Sequence, residues 1–152
     1  PIAIGLAYAL FEVAFDLVTG YSKFEVALHH VERVNIDFPA SLLIYPGGAV
    51  IVEVIYRLLP IPLLLWLFST MLLRGRWQTQ LFWLLAILTS LIEPLTQDLE
   101  AMQLGVLMLA AVLLKGFGLN FLQAGLFRRY GFLAAIMLRV AFYLVWHILY
   151  VH

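Results

Sequence analysis

The chain has 152 residues, 64% of them apolar and 12% charged, with nine basic side chains balancing nine acidic ones. A water-soluble domain usually carries about 25% charged residues. Half that share, with a mean hydropathy of +1.01, excludes a disordered tail, a coiled coil, a nucleic-acid module and nearly every soluble enzyme, and leaves an integral membrane protein in a lipid bilayer. With no cysteine in the chain, disulfides, thiolate zinc sites and thiol nucleophiles are excluded too.

A bilayer-crossing helix needs about 20 mostly apolar residues, because backbone groups unpaired in hydrocarbon cost several kcal/mol each. Five segments qualify: Pro1–Val18, Phe38–Leu73, Leu81–Thr96, Leu104–Phe127 and Phe132–Val151. The runs are too long for barrel strands and lack their period-two alternation. The expected fold is therefore an all-α polytopic transmembrane helix bundle of about five spans, read as a single domain over 1–152. The start at Pro1, with no basic stretch before the first apolar run, is the pattern expected of a fragment or trimmed chain.

The first span carries Glu12 and Asp16 one turn apart, read as an acidic pair near the membrane surface. Thr19–Asp37 follows as the one long polar connection and contains His29-His30, a pair that in an exposed loop is more often solvated than metal-bound. Phe38–Leu73 is too long for one straight crossing at 1.5 Å per residue. Pro46-Gly47-Gly48 and Pro60-Ile61-Pro62 interrupt it, so it reads as one kinked span with a leading segment. Leu81–Thr96 is short, and Pro94 beside Glu93 marks either a helix end at the interface or irregular backbone lining a cavity, with Gln97 one turn further on. In the fourth span Gly116, Gly118, Ala124 and Gly125 permit close helix approach, while Lys115, Asn120 and Gln123 supply interhelical donors and acceptors. Trp66, Trp77, Trp83 and Trp146 read as interfacial anchors.

Loop charges set the expected orientation. Arg74 and Arg76 follow the second span and Arg128 and Arg129 the fourth, whereas the loops after the first and third carry Glu25, Glu32, Asp37, Asp98 and Glu100. Basic loops stay on the cytoplasmic side, which places 74–80 and 128–131 there, in a multi-pass protein read as residing in the bacterial inner membrane.

Chemistry is sought among ionisable groups at membrane depth, since each is costly to bury and faces a cavity or a partner. Glu53 and Arg57 stand one helical turn apart in the order that favours an ion pair, with Tyr56 adjoining. Arg139, Tyr143 and His147 form a polar stripe at i, i+4 and i+8 on the last span; His147 reads as structural or interfacial rather than as a catalytic base. Glu53 and Glu93 are the acidic groups well inside the later spans, and either is a candidate partner for Arg139. No GxSxG, HExxH, P-loop or GxGxxG motif occurs, so soluble hydrolase, zincin and nucleotide-enzyme readings lack support.

The run Tyr45-Pro-Gly-Gly-Ala-Val-Ile-Val-Glu-Val-Ile-Tyr-Arg-Leu-Leu resembles the EExxxR helix of the CAAX prenyl protease and bacteriocin-processing (CPBP, or Abi) family of intramembrane proteases. Gly118 to Tyr143 resembles that family's glycine-containing helix, its short basic turn ending in Gly131, and its last catalytic helix. The resemblance extends over Leu42 to His147. It implies that Glu53 and Arg57 match the family's second glutamate and its arginine, while Val52 stands where its first, water-activating glutamate would be. Glu93 and Gln97 stand at its FxxxH positions, and Arg139 and Tyr143 at its final HxxxN.

A water attacking an amide needs a base within hydrogen-bond reach and a donor at the developing oxyanion. The resemblance and the residues present assign Glu53 as base, Arg139 or Tyr143 as donor and Glu93 to the missing carboxylate role. The candidate catalytic set is thus Glu53, Arg57, Glu93, Arg139 and Tyr143, with a membrane-embedded or prenylated peptide as the implied substrate and the cofactor unknown. Two readings follow: a divergent or inactive CPBP-like intramembrane endopeptidase, or a non-enzymatic membrane protein that binds a partner or ligand through a polar intramembrane cavity. A small proton-coupled transporter ranks behind both because no internal repeat is seen.

Overall fold

The computed structural model describes residues 1–30 and 36–150; Glu32 of the loop charge and Val151 at the end of the last span lie outside the described residues. Every regular element among the described residues is helical. We number the helices α1 (Ile2–Thr19), α2 (Tyr21–His29), α3 (Ser41–Leu72), α4 (Gln78–Gln97), α5 (Val106–Tyr130) and α6 (Phe132–Tyr150), with a short 3-10 turn, Leu99–Leu104, between α4 and α5. All except α2 are long and apolar enough to cross a membrane. The chain is a multi-pass membrane protein, and its outward faces suit that solvent: Leu107, Val18 and Leu43 are at least 80% exposed. Lipid tails are as apolar as these side chains, so nothing drives them inward.

The described contacts fall into two compact units, one of Pro1–Ile51 with Leu133–His152 and one of Val52–Phe132. In the first, α1 stops at Gly20, whose φ of +66° is a left-handed conformation that an L side chain adopts only with strain. The chain then restarts at once as α2, where a polar connection was expected. Asp16 makes this corner. Its carboxylate accepts from the Ser22 amide at 2.7 Å, from the Ser22 hydroxyl at 2.8 Å and from the Tyr150 hydroxyl at 3.0 Å. Ser22 lies in the first turn of α2, so the carboxylate satisfies an amide that the helix cannot bond internally. Glu12 and Asp16 are both buried among the helices. Asp16→Ala is expected to cost about 1–2 kcal/mol, the range of a lost helix cap. Thermal unfolding in detergent, with amide exchange at Ser22, measures it; unchanged stability with a still-protected amide would refute the cap.

α1 lies against α6 at Gly5, where an added Cβ would collide with the Leu138 carbonyl oxygen and stand 3.0 Å from the Ala141 Cβ. The Tyr8 ring meets the Phe142 ring edge-on at 6.2 Å. His29 closes α2, and His30 sits beyond it with a φ of +52°. Among the described residues no three His, Cys, Asp or Glu side chains are grouped as a metal set.

In the second unit α4 and α5 pack over a core of Ile61, Phe82, Leu85, Ala86 and Ala124. α3 changes pitch on the way. It is α-helical to Glu53, π-helical over Val54–Leu58, α-helical over Pro60–Leu64 and π-helical again over Leu65–Leu72. Pro60 and Pro62 have no amide hydrogen to give the preceding turn, and the wider register takes up the mismatch, with the Leu59 amide bonding to the Val54 carbonyl at 2.9 Å. Pro94 lies within the last turn of its helix and does not itself stop it: α4 runs through it to Gln97. The room comes from Gly116 on α5, where an added Cβ would stand 2.7 Å from the Pro94 Cβ. Gly125, expected to permit close approach, has nothing within 4 Å of where its Cβ would be.

Candidate functional site: a buried polar cluster

The Val52–Phe132 unit gathers polar side chains from three helices. Glu53 and Arg57 of α3 are fully buried, and Arg57 Nη1 donates to Glu53 Oε1 at 2.6 Å. The expected i, i+4 pair therefore exists. A second donor converges on the same oxygen, Gln123 Nε2 of α5 at 2.5 Å. Arg57 Nη2 donates to Asn120 Oδ1 at 2.7 Å and to the Asn120 carbonyl at 3.2 Å. Glu93 of α4 completes the group, its Oε2 4.0 Å from Arg57 Nη2. Arg57 is thus shared by two carboxylates and one carboxamide.

Pro94 explains why Asn120 fits here. Lacking an amide hydrogen, Pro94 leaves the Ser90 carbonyl one turn earlier without its intrahelical donor, and Asn120 Nδ2 of the facing helix approaches that oxygen at 3.4 Å. The irregular backbone inferred beside Glu93 is satisfied from α5, as backbone inside a membrane protein must be. One turn on, Thr96 Oγ1 donates to the Glu93 carbonyl at 2.7 Å and lies 3.4 Å from the Tyr56 hydroxyl. Gln97 is exposed at the helix end.

Arg139 and Tyr143, the other two candidates, belong to the first unit, where they pair with one another. Arg139 Nη1 donates to the Tyr143 hydroxyl at 3.2 Å, and Arg139 is 2% exposed. His147, one turn further, is held between rings: Tyr45 stacks on it at 4.4 Å and Tyr143 meets it edge-on at 4.7 Å. That packing suits a structural histidine. Glu53, Arg57 and Glu93 therefore come together in one unit, and Arg139 with Tyr143 in the other.

Sequence reading marked Asn120 and Gln123 as interhelical donors without giving them a target. Two signals were available. Both lie on one face of α5 at i and i+3, and Pro94 announces a carbonyl in need of a donor. The chain matches no protein-family model, no curated protein and no solved structure.

Proposed function

We propose that this protein is a CPBP-like membrane protein that does not hydrolyse peptides but binds a membrane-embedded or prenylated peptide, its buried polar cluster serving to hold the helices in register. The carrying observation is the state of Glu53. A general base needs a carboxylate oxygen open to water, yet Glu53 Oε1 is taken by Arg57 and Gln123, and burial of the whole side chain keeps Oε2 from solvent as well. Val52 stands beside it where the family has its water-activating glutamate. The resemblance supplies the class of partner, and the apolar spans supply the setting in which a lipidated peptide is met.

The test is a panel of prenylated and membrane-embedded peptides offered to the protein in lipid nanodiscs, followed for both cleavage and saturable binding. No turnover with saturable binding of at least one peptide is the expected result. Turnover that Glu53→Gln abolishes, with the fold intact, would establish the endopeptidase reading instead. Absence of both cleavage and binding would refute the peptide-binding proposal.

A further inference from the structure

At one end of the Val52–Phe132 unit the last turns of α3, the first turns of α4 and the end of α5 enclose a recess of about 320 Å³. Leu65, Trp66 and Thr70 line it from α3, Thr79 and Phe82 from α4, and Arg128 from α5. Segments 70–80 and 125–132 around it carry Arg74, Arg76, Arg128 and Arg129 and contain no Asp or Glu.

Arg128 is set in place by uncharged partners. Its Nη2 donates to Thr79 Oγ1 at 3.0 Å, and its guanidinium lies 4.7 Å from the centre of the Phe82 ring and 5.7 Å from that of Trp83. Among the described residues no carboxylate pairs with it. A guanidinium carries five N–H donors in a fixed fork, so one bond to a hydroxyl and two ring faces orient the group while leaving most of its donors and all of its charge for an anion. Arg128 is exposed at the mouth, and Leu65, Trp66 and Phe82 make the wall apolar. Trp66 and Trp77, 55% and 65% exposed, lie at this end of the helices, and exposed tryptophans collect at headgroup depth.

We propose that this recess binds an anionic phospholipid, its phosphate held by Arg128 and the Thr79 hydroxyl and its glycerol and upper acyl chain laid against Leu65 and Trp66. The charge complementarity selects the occupant: a cationic rim with no acid in its segments favours a headgroup with net negative charge over a zwitterionic one. If the basic end faces the cytoplasm, as the loop charges imply, that lipid belongs to the inner leaflet.

Native mass spectrometry of the intact chain, released from micelles holding equal amounts of phosphatidylglycerol and phosphatidylcholine, tests this. Wild-type protein is expected to retain phosphatidylglycerol in preference, and Arg128→Gln to lower that retention by about fivefold, the effect of one cation at a charged headgroup. Arg129→Gln, which removes one rim charge without touching the recess, is expected to lower it clearly less, since that guanidinium lies over Tyr130 at 5.2 Å and does not line the recess. Equal retention of the two lipids by the wild type, which needs no variant to fold, would overturn the proposal. So would undiminished retention in Arg128→Gln, and displacement of the lipid by excess inorganic phosphate would show a free-anion site instead.

Discussion

Replacing Arg57 with methionine is expected to destabilise the protein by about 3–5 kcal/mol, the cost of removing one partner from a buried ion pair. The magnitude follows from what is left behind. Glu53 is fully buried and would keep Gln123 as the remaining donor to Oε1, while Asn120 Oδ1 and the nearby Glu93 would lose the guanidinium they share. Glu53→Gln is expected to cost clearly less, because an amide oxygen still accepts from both donors and Glu93 remains as a carboxylate beside the guanidinium. Replacing both residues with leucine is expected to recover only part of the loss: the buried charge of Glu53 disappears with its partner, but Glu93 and Asn120 still lack the guanidinium. Unfolding in mixed micelles by added dodecyl sulfate gives the ranking. An Arg57→Met protein as stable as the wild type would mean that water reaches the pair, and with it the proposal that Glu53 is withheld from water would fall.

Gly5→Val is expected to be the most damaging change in the first unit, at about 1–3 kcal/mol or somewhat more for so tight a contact. The obstacle is the Leu138 carbonyl, a backbone atom of α6 that no rotamer change can move aside, with the Ala141 Cβ 3.0 Å from the same point. α1 would have to draw away from α6. Gly125→Ala is the matched control: nothing lies within 4 Å of its added Cβ, so it is expected to be neutral or to stabilise by up to about 1 kcal/mol through helix propensity. Thermal unfolding in one detergent compares the two directly. Equal effects would mean that α1 does not make the close approach to α6 described here.

Much of this was legible in the sequence because hydrocarbon leaves few options. Long apolar runs can only be helices there, and the five spans appear within a few residues of where composition put them. Glu53 and Arg57 were legible as a pair because both lie on one helix, where spacing fixes distance. What spacing cannot fix is contact between helices, so Gln123 was recognised as a donor but its acceptor was not. Helix α2 escaped notice for a different reason. It is nine residues long and mixed in polarity, and such a helix forms because Asp16 and Gly20 shape its start, not because its own residues demand it. Pro94 left two readings open, a helix end or a cavity-lining backbone, because the local rule counts only the bond a proline removes; Gly116 and Asn120, more than twenty residues away, supply the room and the replacement donor.

That replacement has a bearing on biosynthesis. Alone in lipid, α4 would expose the Ser90 carbonyl to hydrocarbon at a cost of several kcal/mol, and the donor that covers it arrives only with α5. Such a segment is ill suited to wait by itself in the bilayer. α4 and α5, joined by the short turn Leu99–Leu104, are therefore expected to leave the insertion machinery together as a hairpin, with α4 held back until its neighbour has been synthesised.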